Sequence, residues 1–313
     1  MRLIRNFDIP EHAKNCVVAI GNFDGLHKGH LAVIEYAKEI AKKNNKKIGI
    51  ITFEPHPKNF FSRSFDYFRL TPFRTKFELT SKLMIDYYFN IRFDKNFARI
   101  SAENFVIQIL IKSLRVCHIV TGEDFVFGNM KRGNVKMLKR ISEEKNTFNF
   151  STVNEMGNTN SEKISSSIVR KKILEGDIKD IKEYLNRDWS IKSRVIKGLQ
   201  KGKQLGFPTA NFYTRKFCKM MYGVYAVKVK IFYKKSCKLL DGIANYGTRP
   251  TFSGKAPLLE VNIFDFNDLI YGQLVEICFK SFIRNEKKFK NEIELKNQIN
   301  TDIKIAKRLL NYD

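Results

Sequence analysis

The sequence predicts an α/β doubly wound parallel sheet followed by a small antiparallel β-barrel domain with a C-terminal helix. Three observations predict it. Apolar runs alternate with helical spacings through the first half, the hydropathy period shortens to two from about Arg187, and an amphipathic stretch closes the chain. The change of period sets the boundary, giving domains 1–186 and 187–313.

The elements follow in order. CVVAI (16–20) is a continuous apolar run suited to a buried parallel strand, and LAVIEYAKEIAKKN (31–44) has helical spacing. IGIITF (48–53) is the next strand and FRTKFELTSKLMI (73–85) the next helix. SAENFVIQILIKSL (101–114) opens on Ser101, a capping residue type, and is helical. VCHIVTG (116–122) reads as a strand and GNVKMLKRISEEKN (133–146) as a helix. Strand–helix alternation with buried strands implies a doubly wound sheet. NEMGNTNSEK (154–163) is the most loop-like stretch.

Beyond Arg187 come WSIKSRVI, GVYAVKVKIFY, CKLLDGIANY, LLEVNIFDF and LVEICFKSF, with Gly, Pro, Asn or Asp between most of them. Short runs of period two with turn residues between them suggest an antiparallel sheet or small barrel. NEIELKNQINTDIKIAKRLL (291–310) is an amphipathic helix.

Composition narrows the class. The chain has 313 residues, 43% of them hydrophobic, enough to bury a core. It shows neither a long apolar run of membrane-spanning length nor a secretory signal in MRLIRNFDIPEHAKN, so a cytoplasmic protein without membrane partners is expected. The five cysteines lack CxxC spacing, which argues against a disulfide framework and a zinc site. The net charge of +25 invites an anionic partner, but the basic residues are spread along a chain rich in Lys, Asn, Ile and Phe. That spread favours compositional bias over nucleic-acid binding, with phosphate-rich ligands gaining incidentally from the field.

Three polar loops follow three strands: GNFDGLHKGH after CVVAI, TFEPHP after IGIIT, and TGEDFVFG after VCHIV. In an open parallel sheet ligands bind at the carboxyl ends of the strands, so all three loops fall on the ligand side. Gly21 and Gly25 permit close backbone approach, and Gly29 relieves crowding at the first helical turn. The free N–H groups there favour a phosphate. His27 and His30 project from neighbouring positions on one face of that turn. Two imidazoles beside a helix N-terminus suit phosphoryl or nucleotidyl transfer, which needs mostly positioning and electrostatic stabilisation. A metal site and a purely structural turn are the alternatives, the first lacking a third ligand nearby in sequence.

In the second half, VIKGLQKGKQLGFPTANF (195–212) carries Gly198, Gly202 and Gly206 at intervals of four. Glycines with lysines between them suit a loop whose amides wrap phosphates, although the spacing is not that of a Walker loop and caps or hairpin turns are the plain alternative. In LLEVNIFDF, alternation puts Leu259, Val261 and Ile263 on one face and Glu260, Asn262 and Phe264 on the other.

HxGH after a first strand is the signature of the nucleotidyltransferase superfamily. GNFDGLHKGH with TFEPHP, then TGEDFVFG (121–128) and ISSSIVRKKILEGDI (164–178), resembles the adenylyltransferase module of bacterial bifunctional riboflavin kinase/FAD synthetases. GFPTAN, NYGTRPTF (245–252), LIYGQ (269–273) and FIRNEKKF (282–289) continue the family's order into its kinase. The resemblance implies phosphorylation of riboflavin to FMN, then adenylylation of FMN with ATP to FAD and pyrophosphate, with Mg²⁺ as cofactor.

It also implies roles by position. Gly21, Asn22, Phe23, Gly25 and Gly29 would cradle ATP phosphates, with His27 and His30 stabilising the transition state. Ser165, Ser166 and Arg170 would contact the triphosphate; His56, Asp124 and Phe127 would lie around the flavin and nucleotide. An aromatic such as Phe127 is also a common core residue. In the kinase, Gly198, Gly202 and Gly206 would line the ATP phosphates, and Thr209 and Asn211 would ligate Mg²⁺. Glu260 would be the catalytic carboxylate, and Arg284 would meet the flavin or a phosphate. The chain departs from the family at Val126 (usually Arg), Ser167 (usually Thr), and Asn186 and Ser193 (usually Gly). Two other readings remain: an HxGH enzyme acting on another phosphorylated metabolite, or a basic nucleic-acid-binding protein on an enzyme scaffold.

Overall fold

A computed structural model describes residues 1–5, 8–62, 68–154, 163–198, 201–234, 236–248 and 257–310, Lys201 and Lys203 by backbone alone. The chain divides into two compact units, Met1–Phe65 with Thr71–Ser166, and Asp66–Leu70 with Ser167–Asp313. The loop expected at 154–163 lies almost wholly outside the described residues.

The first unit is built on strands β1 (Arg2–Ile4), β2 (Val17–Ile20), β3 (Ile48–Glu54), β4 (Tyr87–Arg92), β5 (His118–Gly122) and β8 (Asn149–Val153), with a two-stranded hairpin β6 (Val126–Phe127) and β7 (Gly133–Asn134). The six long-sheet strands run parallel in the order β1-β4-β3-β2-β5-β8. Helices α1 (Lys28–Lys43), α2 (Pro57–Ser62), α3 (Phe73–Ser81), α4 (Lys95–Ala98), α5 (Ala102–Asn104, running on as a π-helix over Phe105–Ser113) and α6 (Val135–Lys145) connect them. All four residues of β2 are buried because both faces of the sheet are covered. Val18 and Ile20 pack with Phe105, Val106 and Leu110 on one face; Val17 and Ala19 pack with Val33, Ile34 and Ala37 of α1 on the other.

Strand order reverses at β2, which pairs with β3 on one side and β5 on the other. The loops leaving β2 and β5 therefore diverge to opposite sides and open a crevice there. The expected strands and helices are present, Ser101 capping α5 through its hydroxyl to the Asn104 N–H. Helix α3 stops at Ser81, short of the expected 85, because the chain must turn before β4. Strands β1, β4 and β8 lie outside the sequence-based expectation.

Helix α7 (Ser166–Glu175) begins on the last residue of the first unit; from Ser167 on, the second unit holds the rest of it with α8 (Ile181–Leu185), β9 (Ser190–Arg194), α9 (Lys201–Gln204), β10 (Ala210–Tyr213), β11 (Gly223–Phe232), β12 (Cys237–Thr248), β13 (Pro257–Ile263), β14 (Leu274–Asn285) and α10 (Glu292–Leu310). The sheet is antiparallel in the order β10-β13-β12-β11-β14-β9, and a bridge between Ile196 and Asn211 draws its two edges together. Inward residues such as Tyr225, Val227, Leu259, Val261 and Phe279 fill the barrel. Helix α10 covers part of the outer face, where Ala306 and Leu310 pack on Val224, Ala226, Ile243 and Phe264. Asn186 ends α8 in the left-handed region (φ 56°, ψ 22°), with its N–H on the Lys182 carbonyl. Asparagine tolerates that conformation better than other non-glycine residues, so the turn is kept.

Candidate active sites in the two units

In the first unit the chain leaves β2 through Gly21, whose N–H bonds the Ile51 carbonyl at 3.1 Å. A tight turn follows in which Phe23 (φ 48°), Gly25 (φ 85°) and Leu26 (φ 45°) all take left-handed backbone. His27 is the N-cap of α1, its Nδ1 accepting the His30 N–H at 3.3 Å. Acceptance at Nδ1 places the ring proton on Nε2 and makes that edge a donor. The His27 and His30 rings stack with centroids 3.6 Å apart, and Phe23 meets His30 edge-on at 5.3 Å. Gly29 is small for a reason. A Cβ there would lie 3.3 Å from His27 Nδ1, so glycine lets the imidazole fold over the first helical turn.

The turn is held from below. Asp24 is 1% exposed, and its Oδ1 accepts the Thr71 N–H at 2.9 Å and the Thr71 hydroxyl at 3.2 Å. Thr71 Oγ1 in turn accepts the Gly25 N–H at 2.8 Å. Lys76 of α3 donates through Nζ to the Asn22 carbonyl at 2.9 Å. Ser166, first residue of α7, donates its hydroxyl to the Asp24 carbonyl at 2.7 Å, which ties it to the histidine turn. Sequence reasoning missed Asp24, Thr71 and Lys76. Asp24 lies within the motif already quoted, whereas Thr71 and Lys76 carry no local signal.

His56 follows β3 and is buried, with Nδ1 accepting the Lys58 N–H at 3.1 Å at the start of α2. Asp124 is exposed in the loop after β5. Phe127 is a core residue: its ring packs 5.5 Å from those of Phe105 and Phe125 within the apolar cluster. Phe127, expected near the flavin, thus has its ring engaged in internal packing. Aromatic surface lies elsewhere on the ligand side, where Phe60, Phe61 and Phe93 form an edge-to-face trio with centroids 5.3–5.8 Å apart and Phe61 64% exposed.

Arg170 lies on α7 in the second unit, stacked 4.0 Å over the Phe68 ring and donating through Nε to the Phe68 carbonyl at 2.8 Å. In the barrel, Asn211 of β10 stands directly across from Glu260 of β13, and Glu260 directly across from Asn245 of β12. Opposed residues on antiparallel strands share a face, so this row of three projects outward together. The pattern along β13 has the expected alternation, with Leu259, Val261 and Ile263 buried. Asn211 is buried and donates through Nδ2 to the Thr209 carbonyl at 3.3 Å. Gly198 lies so close to the Asn211 amide that a Cβ would overlap it.

Two expectations change here. Residues 201–204 form one helical turn, with Phe207 N–H on the Gly202 carbonyl at 2.8 Å, so the segment is partly helical; among its described residues only Gly206 uses left-handed backbone (φ 88°). Arg284, expected to meet the flavin or a phosphate, is held by protein partners: its Nε bonds both Asp302 oxygens at 3.0 Å, one Nη bonds Asp302 Oδ2 at 2.7 Å, and the other bonds the Asn285 carbonyl at 2.8 Å. A bidentate pair of this kind occupies the fork that would otherwise meet a ligand.

The family profile described as FAD synthetase matches residues 9–168, and that described as riboflavin kinase matches residues 185–310. The chain is similar over nearly its whole length to proteins named bifunctional riboflavin kinase/FMN adenylyltransferase. It is 38% identical to that of Buchnera aphidicola subsp. Schizaphis graminum (99% of each chain), 36% to that of Haemophilus influenzae (99% of this chain, 100% of the relative) and 35% to that of Escherichia coli (96% of each). Among solved structures it is similar to one from Streptococcus pneumoniae named a macrolide-efflux protein, with a TM-score of 0.83 and 28% identity over 97% of this chain and 98% of that one. Among the described residues of the present chain, no helix is long and apolar enough to cross a membrane.

Proposed function

The chain belongs to the bifunctional riboflavin kinase/FMN adenylyltransferase family, and on that premise we propose how its two sites divide the work. Residues 187–313 phosphorylate riboflavin to FMN with ATP. Residues 1–186 join FMN to AMP from a second ATP, giving FAD and pyrophosphate.

In the kinase, Glu260 accepts the proton of the ribityl 5′-hydroxyl as that oxygen attacks the γ-phosphate. The observation that carries the assignment is the register: Glu260 lies on the outer face of β13 with Asn211 directly opposite. The oxygen donors of Thr209 and Asn211 suit a hard divalent cation bound by few protein ligands plus phosphate, and these two residues would hold Mg²⁺. The ion, when bound, neutralises charge on the ATP phosphates. Gly198 keeps the Asn211 amide uncrowded.

In adenylyl transfer the FMN phosphate attacks the α-phosphate directly, so no enzyme nucleophile is required. The turn Gly21–Asn22–Phe23 with Gly25 and Gly29 receives phosphates at the N-terminus of α1. The Nε2–H of His27 and the ring of His30 meet charge as it grows on the reacting phosphorus. Ser165, Ser166 and Arg170 are assigned to the triphosphate, and His56 and Asp124 to the rim of the FMN site. The Phe60–Phe61–Phe93 trio, with Phe61 exposed, supplies aromatic surface on which an isoalloxazine can stack. The substrates, and the five free cysteines that mark a reducing compartment, fit a cytoplasmic enzyme.

Incubation of the purified chain with riboflavin, ATP and MgCl₂, followed by separation of the flavins, tests this reading. FMN is expected first and FAD second. Formation of neither overturns it.

A further inference from the structure

Lys76 is 0% exposed, yet it carries an ammonium group. Burying a lysine where an aliphatic residue could fill the space costs desolvation free energy, so its polar end must do something an aliphatic chain cannot. That end reaches the Asn22 carbonyl at 2.9 Å, in the middle of the turn between Gly21 and Gly25. The carbonyl of Asn22 and the N–H of Phe23 belong to one planar trans peptide and point in opposite directions. Drawing the carbonyl toward Lys76 therefore aims the Phe23 N–H the other way. That N–H has no acceptor among the described residues. The peptide also needs holding, because Phe23 sits at φ 48°, a conformation costly for a residue with a side chain.

We propose that Lys76 is a positioning residue for adenylyl transfer: through the Asn22 carbonyl it fixes the Asn22–Phe23 peptide so that the Phe23 N–H faces an ATP phosphate. The proposal rests on the assignment of this turn to ATP. Helix α3 and the residue before its N-cap thereby hold the loop at two points, with Thr71 on Gly25 and Asp24 and Lys76 on Asn22. Without the ammonium the peptide is free to rotate, and the turn loses an oriented donor while both histidines remain.

The test uses Lys76→Met in the full chain, with FAD formation measured against ATP and against FMN, and riboflavin phosphorylation measured in the same preparation. The KM for ATP in adenylylation is expected to rise at least about fivefold, the scale of one lost hydrogen bond, while the KM for FMN and both kinase constants change less than about twofold. A smaller folded fraction lowers Vmax and cannot raise a KM, so a purely structural role does not produce this split. An unchanged KM for ATP overturns the proposal. If Lys76→Met does not fold, Lys76→Gln is judged by the same criterion. Failure of both variants to melt cooperatively and to phosphorylate riboflavin assigns Lys76 to stability and also overturns it. Absence of FAD formation by the unsubstituted chain would instead strike the functional reading of the turn.

Discussion

Asn211 on β10 faces Glu260 on β13 across one antiparallel register position, so an amide and a carboxylate separated by nearly fifty residues share one small patch of the barrel's outer face. Each lies in a motif visible in the sequence, GFPTAN and LLEVNIFDF, but neither motif points to the other. Their pairing gives the kinase reading its geometry, and it can be tested one residue at a time.

Glu260→Gln keeps size and burial but removes the proton acceptor. Riboflavin phosphorylation is expected to fall about 10²-fold or more, with FAD formation from supplied FMN unchanged. Loss of both activities in a folded protein would contradict separate sites. Product analysis with each flavin supplied in turn measures it.

His27→Ala removes both the N-cap acceptor of α1 and the Nε2–H donor. FAD formation is expected to fall about 10²-fold or more, as for loss of one transition-state donor, while FMN formation is spared. Loss of the cap adds about 1 kcal/mol of destabilisation, visible as a small drop in Tm.

Gly198→Ala places a methyl group against the Asn211 amide. Displacing that side chain is expected to raise the KM for ATP in the kinase reaction about tenfold and to leave adenylylation alone. Steady-state kinetics at fixed Mg²⁺ decide it.

Partly buried Arg284 forms a bidentate pair with buried Asp302, and Gln298 Nε2 adds a bond of 2.8 Å to Asp302 Oδ1. Asp302→Ala leaves the largely covered guanidinium without its carboxylate and loosens α10 from β14. A loss of about 3–5 kcal/mol in urea unfolding is expected. A change below about 1 kcal/mol would mean that the pair is not what anchors the helix.

His118 Nε2 lies 2.9 Å from Ser151 Oγ, and burial holds its pKa below the ordinary value of 6.5. The unfolded chain then binds the proton more readily. Stability is therefore fully present above about pH 6.5 and is lost as pH falls through that value toward the lower folded-state pKa. His118→Asn, which keeps a polar partner for Ser151 without a titrating group, is expected to flatten the fall in Tm between about pH 7 and pH 5.

The alternation of strand and helix, the period-two barrel strands, the HxGH turn and the outward face of Glu260 were legible because each depends on residues close together in sequence. Periodicity reports which face of an element is buried, and glycine spacing reports where backbone must come close. β4 was harder to see, since YYFNIR interrupts its apolar run with Asn90 and ends on Arg92, yet in the sheet it pairs with β3 over six positions. The role of Phe127 was equally hidden. A phenylalanine in a ligand-side motif reads the same whether its ring meets a flavin or, as here, Phe105.

The sequence by itself determined the fold class, the order of elements and the two motifs around which the sites are built. Tertiary structure alone decided that Lys76 and Thr71 hold the histidine turn, that Asn211 meets Glu260, and that Arg284 is spent on Asp302. Those partners lie between 18 and 54 residues apart, and only the closing of the sheet and of the barrel sets the distances and burial on which their interaction depends.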